Sequence, residues 1–134
     1  MTIQTSCLFC DVLTIDRKRI VSENSLSYAI RDGFPVTEGH TLFISKRHTI
    51  DYFGLAPDEV FAINQLMEEQ RVLLLKNDPF IGGFNIGMNC GEIAGQSVGH
   101  CHVHLIPRRK GDVELAKGGV RHVIPCKGNY EDLR

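Results

Sequence analysis

The segment Gly95-Gln96-Ser97-Val98-Gly99-His100-Cys101-His102-Val103-His104-Leu105-Ile106-Pro107 carries three histidines at every second position. Alternate side chains of an extended chain point to one face, so we expect His100, His102 and His104 to form a row. Burying three unpaired imidazoles would cost several kcal/mol, so core packing alone does not explain the row. Two explanations remain open: the row binds a metal ion, or one histidine is a nucleophile that its neighbours orient.

The residues just before the histidines favour the binding of an anion. Gln96 and Ser97 supply an amide and a hydroxyl group that can hydrogen-bond phosphate oxygens. The glycines at 91, 95 and 99 allow the backbone to approach a ligand closely. A site that only binds a metal does not need such a polar cradle, so these residues favour the nucleophilic explanation.

Periodicity elsewhere in the chain predicts an α+β domain with a mainly antiparallel sheet. Pro57, followed by two acidic residues, is typical of a helix start, and apolar residues then recur at helical spacing. This helix should end near Asn77, because Pro79 disfavours helical geometry in the residue before it. Strands are predicted over four segments: Leu26–Arg31, Thr41–Ser45, Phe84–Met88 and Cys101–Ile106.

Length, charge and cysteine content limit the class of protein. A chain of 134 residues is expected to form one domain. The net charge of −1 lacks the basic excess of a nucleic-acid-binding protein, and no apolar run is long enough to cross a membrane. Five cysteines, an odd number, without a secretory signal pattern are typical of a reducing compartment, so we expect a cytoplasmic protein.

The histidine segment resembles the signature of the histidine-triad (HIT) superfamily, in which three alternating histidines precede two apolar residues. Here that signature is His100 to Ile106, with Gly95–Val98 before it and Pro107-Arg108 after it. The resemblance extends to three further segments: Asp32–Leu42, Lys46–His48 and Gly83–Gly87.

The resemblance covers about residues 7–111 and implies a HIT-like fold, with a long central helix and a short N-terminal helix. We interpret residues 1–134 as a single HIT domain in which about 112–134 form a C-terminal tail. Within this tail, the segment from Gly118 to Pro125 resembles that of bacterial members labelled as dinucleoside polyphosphate hydrolases.

The resemblance implies a hydrolase or transferase of purine nucleotides with a covalent intermediate. His102 would attack the α-phosphorus of a diadenosine polyphosphate or an adenosine 5′-phosphoramidate, and water or another acceptor would release the nucleotide. The backbone carbonyl of His100 would accept the Nδ1 proton of His102. A nucleotide-binding scaffold with incidental activity is the alternative.

The resemblance also implies roles for other residues of the site. His104 and Gln96 would hydrogen-bond the phosphate oxygens, and Ser97 would act near the leaving group. Asn85 would hold a phosphate oxygen, with a structural amide hydrogen bond as its alternative role. Asp32 would bind the ribose hydroxyls, although an aspartate before a glycine is also typical of a turn.

Cys7 and Cys10 form a C-x-x-C pair that serves zinc binding or redox chemistry. No thioredoxin-like context accompanies the pair, and a structural zinc site needs two further ligands. The resemblance implies His48 and His100 as these ligands, and it implies no organic cofactor. Alternatively, the two cysteines are small core residues.

Three further interpretations concern metal chemistry, assembly and the remaining histidines. A metalloenzyme in which the three histidines bind one catalytic ion is a competing hypothesis.

The resemblance implies a homodimer, for which the helix Pro57–Asn77 and the adjacent sheet edge would form the interface. Outside the triad, we interpret His40 as a structural residue and His122 as a surface residue.

Overall fold

The computed structural model describes residues 7–130, which form one five-stranded antiparallel sheet and two α-helices. The helices are α1 (Leu8–Thr14) and α2 (Pro57–Asn77). The strands are β1 (Ile20–Glu23), β2 (Ser27–Arg31), β3 (Thr41–Ser45), β4 (Ile81–Gly87) and β5 (His102–Arg109), in the sheet order β1-β2-β3-β5-β4. This confirms the predicted α+β class. Within residues 7–130 no helix has both the length and the apolar character needed to cross a membrane.

Helix α2 begins at Pro57 and ends at Asn77, as the sequence predicts, and the residues at its two ends explain these bounds. Pro57 occupies the first turn, and the carboxylate of Glu59 accepts a hydrogen bond of 2.8 Å from the backbone N–H of Ala56. At the other end, the backbone turns away at Asp78, the residue before Pro79.

Strands β4 and β5 are longer than the apolar pattern indicates. β4 begins at Ile81 rather than Phe84, because pairing with Arg109 and Arg108 extends the ladder through two glycines. β5 continues through Pro107, where β3 no longer pairs. Pro107 has no N–H to donate to a neighbouring strand. Its carbonyl accepts a hydrogen bond from the Thr37 hydroxyl, in place of one from a strand N–H.

The two faces of the sheet are covered by different elements. Helix α2 covers one face, and α1 covers the other through Phe9 and Val12. Strand β2 is therefore buried on both faces, whereas its alternating sequence predicts only one buried face. The side chains beneath α1 are Tyr28, Ile30, Leu42 and Ile44.

The register places the side chains of His102 and His104 on the α1 face. His102 pairs with Ile44, and His104 pairs with Leu42, and directly paired residues share a face. The next residues of β5 on this face are Ile106 and Arg108. Beyond residue 111 the chain forms a short 3₁₀ turn over Gly119–Val123, which contacts β4.

Candidate active site and metal centre

His102 lies at the start of β5 with its ring oriented by a backbone hydrogen bond. Its Nδ1 is 2.8 Å from the carbonyl oxygen of His100. A carbonyl only accepts hydrogen bonds, so the proton of the neutral ring resides on Nδ1 and Nε2 keeps its lone pair. The ring is 7% exposed, and it lies edge-to-face with the Phe9 ring at a centroid distance of 5.0 Å. This arrangement gives an imidazole nitrogen that is ready to act as a nucleophile.

His104 is held by a hydrogen-bond chain that runs through the buried His40. The backbone N–H of Val36 donates to Nδ1 of His40 at 3.1 Å, so the proton of His40 resides on Nε2. That Nε2 lies 2.9 Å from Nδ1 of His104 and 3.4 Å from Oδ2 of Asp32. His104 therefore accepts at Nδ1 and keeps an N–H at Nε2. The sequence pattern indicates only a structural role for His40 and does not reveal this contact.

Burial keeps both members of this histidine pair neutral at neutral pH. It lowers the pKa of His104 to about 4, and the neighbouring His102 and His40 contribute to this shift. Burial also lowers the pKa of His40, although the carboxylate of Asp32 opposes the shift. A neutral His104 can donate a hydrogen bond to a phosphate oxygen without adding a charge to the site.

A cavity of about 530 Å³ opens beside His102 and His104. Its lining is apolar near α1 and β3, and it is polar at Asp32 and along the loop between β4 and β5. The lining residues used below are Leu8, Phe9, Leu42, Asp32, Asn89 and Ser97.

The position of Asp32 is compatible with both of its expected roles, in a turn and in ribose binding. Its Oδ1 accepts a hydrogen bond of 2.8 Å from the backbone N–H of Phe34, which is the turn role. The same side chain lines the cavity together with His102 and His104. Ser97 is exposed and also lines this cavity, as a residue near the reacting phosphate would.

Gln96, for which the family resemblance implies a phosphate-binding role, is not among the residues that line the cavity. Its Nε2 donates to the carbonyls of Ile50 and Val98, at 2.6 and 3.0 Å. Its Oε1 accepts a hydrogen bond of 2.8 Å from the backbone N–H of Gly91. Backbone groups of Ile50, Val98 and Gly91 take both amide donors and the carbonyl, so Gln96 holds the loop around it to the segment at Ile50.

Asn85 also lies outside the histidine cavity. Its Oδ1 accepts a hydrogen bond of 2.7 Å from Arg108, and it pairs with Ile106 rather than with His104. The polar amide in the cavity is Asn89, which the sequence pattern did not reveal. The position of Asn89 in the sequence could have indicated this role, because Asn89 lies between the end of β4 and Ser97.

Cys7, Cys10, His48 and His100 bring four ligand atoms together, as the family resemblance implies. The Cys7 and Cys10 sulfurs lie 3.3 and 3.5 Å from Nδ1 of His100, and Nδ1 of His48 lies 3.2 Å from the same atom. Tetrahedral zinc with ordinary bond lengths requires about 3.5 Å between sulfur and nitrogen and about 3.3 Å between nitrogens. The four side chains therefore fit a closed zinc site.

The protonation of His100 also suits metal binding. Its Nε2 is 2.7 Å from the carbonyl of Ser45, so the proton resides there and Nδ1 is free to be a ligand. Because β5 begins only at His102, His100 precedes the strand and its ring turns toward the two cysteines. The expected row of three histidines is thus divided, and the three rings do not converge on one ion.

Comparison with known proteins agrees with this geometry. The HIT domain matches residues 15–111. An uncharacterized HIT-like protein of Mycoplasma genitalium is 40% identical over 106 residues, which cover 78% of this chain and 74% of that protein. An adenosine 5′-monophosphoramidase of Saccharomyces cerevisiae is 33% identical over 109 residues, which cover 81% of this chain and 66% of that protein.

A solved structure shows the same similarity. A zinc-bound histidine triad family protein of Mycobacterium smegmatis has a TM-score of 0.67 and 35% identity, covering 80% of this chain and 78% of that chain. The divided histidine segment, the cavity beside it and these matches lead to one conclusion. The chain belongs to the histidine-triad (HIT) family.

Proposed function

We propose that this protein is a nucleotide hydrolase in which Nε2 of His102 attacks the α-phosphorus of a purine nucleoside phosphate derivative. The observation that carries the proposal is the hydrogen bond from Nδ1 of His102 to the His100 carbonyl. This bond fixes the proton on Nδ1 and leaves a nucleophilic lone pair on Nε2, beside a cavity large enough for a nucleotide.

The proposed reaction has two displacements at phosphorus. In the first, the bond between Nε2 and phosphorus forms, and the leaving group departs with the electron pair of its bond to phosphorus. In the second, water attacks the phosphorus, the bond to Nε2 breaks and a nucleoside monophosphate is released. Dividing one displacement into two steps is the advantage of covalent catalysis.

The lining of the histidine cavity suggests how a nucleotide would lie in it. Apolar side chains near α1 can contact a purine ring, and the carboxylate of Asp32 can bind ribose hydroxyls. The N–H at Nε2 of His104, with Ser97 and Asn89, can donate to phosphate oxygens as negative charge develops on them. We assign Gln96 a positioning role, because it holds the loop that carries Ser97.

We propose an adenosine 5′-phosphoramidate as the substrate class, ahead of a diadenosine polyphosphate. The support is the similarity to the Saccharomyces cerevisiae protein, which is named as an adenosine 5′-monophosphoramidase. A related protein of Candida albicans, 32% identical over 123 residues, has the same name. A nucleotide-binding scaffold is the contrasting function.

A comparison of substrates tests this proposal. The purified protein is incubated separately with adenosine 5′-phosphoramidate and with diadenosine tetraphosphate, and AMP release is followed by liquid chromatography. We expect kcat/KM for the phosphoramidate to be higher by about tenfold or more, the change that 1.4 kcal/mol of transition-state stabilisation gives. Faster cleavage of the tetraphosphate would reverse the substrate order. Tight binding of both compounds without any AMP release would favour the scaffold.

We further propose that Cys7, Cys10, His48 and His100 hold a structural zinc ion. Zinc bound there would supply a crosslink between the start of α1 and the start of β5, and no part of the reaction needs it as a Lewis acid. The His100 backbone that this site would fix also carries the carbonyl that orients His102. The metal site would therefore stabilise the position of the nucleophile.

A homodimer is proposed from the apolar surface of α2 and the edge of the sheet. Phe61 on α2 is 64% exposed, and Ile86 on the edge strand β4 is 51% exposed. We expect light scattering at micromolar concentration to give twice the chain mass of 15.0 kDa. Phe61→Glu should yield monomers, and Phe53→Glu, at an exposed residue outside α2 and β4, should not. A parent protein that is already monomeric would refute the proposed dimer.

A further inference from the structure

Arg19 is a charged residue of the histidine cavity that the proposed reaction does not use. It lines this cavity together with the residues named above. Arg19 ends the 3₁₀ turn Arg17–Arg19, which follows α1 and directly precedes β1. Because Ile20 pairs with Ile30, Arg19 lies opposite the end of β2, where the chain turns at Asp32. The register of β1 on β2 therefore brings Arg19 to the end of the cavity where the nucleoside is proposed to lie.

The Arg19 guanidinium lies against the backbone of Gly33, which also lines the cavity. A Cβ atom at Gly33 would lie 3.6 Å from Nη2 of Arg19, so a large side chain there would compete with the guanidinium for space. Burial raises the pKa of Tyr28, and the positive charge of Arg19 opposes this shift. The Tyr28 hydroxyl donates to the carbonyl of Phe9, one of the apolar lining residues. The guanidinium thus lies near the apolar part of the cavity, which the purine ring would occupy.

No carboxylate among residues 7–130 forms an ion pair with Arg19. Its neighbour Arg17 pairs with Glu23 at 2.8 Å, and Lys46 lies 3.5 Å from the same carboxylate. The Arg19 side chain also makes no hydrogen bond to the part of the chain that the structure describes. A half-buried arginine stays charged at any physiological pH, so its five N–H donors are available to a ligand.

A guanidinium group matches guanine better than adenine. Guanine presents two acceptors, O6 and N7, on one edge, and two parallel N–H groups of an arginine can donate to both. Adenine presents N7 beside its N6 amino group, which is a donor and would face a guanidinium N–H without an acceptor between them. An arginine that meets this edge of the base therefore favours guanine.

We propose that Arg19 is a specificity-determining residue that donates to O6 and N7 of guanine, so that the protein selects guanosine 5′-phosphoramidates over the adenosine compounds. The inference rests on the proposed nucleotidyl transfer to His102 and narrows the base of its substrate. Adenosine 5′-phosphoramidate remains a slower substrate, because the apolar lining and Asp32 contact groups that the two nucleosides share. Arg19 takes no part in either displacement at phosphorus.

Binding of the free monophosphates tests the base preference without requiring turnover. The dissociation constants of GMP, IMP and AMP for the parent protein are measured by isothermal titration calorimetry. We expect GMP to bind about tenfold or more tighter than AMP. IMP has O6 and N7 but lacks the 2-amino group of guanine, so it should bind within about threefold of GMP. Equal affinities for GMP and AMP, or an IMP affinity equal to that of AMP, would overturn the inference.

A variant without the donors and a matched control locate the effect. Arg19→Met should reduce the ratio of the AMP and GMP dissociation constants from about ten to about one, through weaker binding of GMP. Lys18→Met removes the same charge at an exposed neighbour that does not line the cavity, and it should leave the ratio at its parent value. Circular dichroism should give both variants the unfolding temperature of the parent protein.

Two results with Arg19→Met would contradict recognition of the base edge. An unchanged ratio would show that another residue sets the preference. Equal weakening of GMP and AMP would show that Arg19 contacts the face of the base or the phosphate, which both nucleotides have.

Turnover separates this inference from the proposed function. Guanosine 5′-phosphoramidate should have a kcat/KM about tenfold or more higher than adenosine 5′-phosphoramidate with the parent protein, and the two values should be comparable with Arg19→Met. Equal values with the parent protein would overturn the assignment of Arg19 while the hydrolase stands. Tighter binding of GMP and IMP, without release of a monophosphate from either phosphoramidate, would overturn the hydrolase and support the assignment of Arg19.

Discussion

Substitution of His102 by alanine is expected to lower kcat by about 10⁴-fold or more on any nucleotide that the parent protein cleaves, as loss of a nucleophile does in other enzymes. The methyl group of alanine cannot form a bond to phosphorus, and the site offers no second imidazole with a comparable free nitrogen among the described residues. His104 uses its Nδ1 to accept from His40, and Nδ1 of His100 faces the two cysteines. Steady-state AMP release measures the effect.

A glycine variant provides the control for this substitution. His102→Gly leaves space where the ring was, and added imidazole should restore part of the activity in proportion to its concentration. The parent protein should show no such stimulation. Near-parent turnover by His102→Ala would refute the nucleophile assignment, because the remaining histidines would then be sufficient for catalysis.

Removal of the metal ligands is expected to have the largest effect on stability. Cys7→Ser with Cys10→Ser should abolish zinc binding and lower the free energy of unfolding by about 3 kcal/mol or more, since metal binding contributes directly to folding. Helix α1 would lose its anchor and expose the sheet face that Phe9 and Val12 cover. We expect the unfolding temperature to fall by roughly 10 °C.

Cys126→Ser is the matched control for the metal site. Cys126 is an exposed free cysteine outside the four-residue cluster, so its substitution should leave both zinc content and unfolding temperature unchanged. Zinc is measured by elemental analysis of protein purified without added metal, and unfolding by circular dichroism. A parent protein with well below one zinc per chain, or a double serine variant of parent stability, would contradict the proposed site.

The features that follow from local chain geometry could be predicted from the sequence. The ends of α2 depend on Pro57 and Pro79, whose effect on the backbone is steric and does not require knowledge of the fold. Strand β3 matches its predicted bounds because five consecutive residues are buried and carry strong strand preferences. Spacing along the chain indicates only the cysteine pair of the candidate zinc site, and the two histidine ligands required the family resemblance.

The features that depend on tertiary contacts could not be predicted in this way. Gln96 lies beside Ser97 in the sequence, yet only the fold shows that the carbonyls of Ile50 and Val98 take its donors. Asn85 pairs with Ile106, beyond His104 along β5, whereas Asn89 lies past the end of β4 and lines the histidine cavity. His40 acquires its partner from a strand 64 residues away in the chain.

The separation of the His100 ring from the rings of His102 and His104 also depends on tertiary contacts. Alternation predicts three rings on one face, but it assumes that all three residues lie in the strand. The backbone N–H of Cys101 instead bonds to the carbonyl of Thr49, and β5 begins one residue later. His100 can therefore direct its ring to the cysteines while its carbonyl orients His102. One residue thus connects the candidate metal centre to the candidate nucleophile.

Everything proposed for the chemistry requires a transient bond between Nε2 of His102 and phosphorus. Mixing the protein with excess adenosine 5′-phosphoramidate, quenching within milliseconds and mapping the peptides by mass spectrometry would detect it. We predict one adenylyl group on His102, formed at least as fast as AMP is released and lost on further incubation. Rapid AMP release with His102 unmodified at every time, or with the adenylyl group on another residue, would contradict the account.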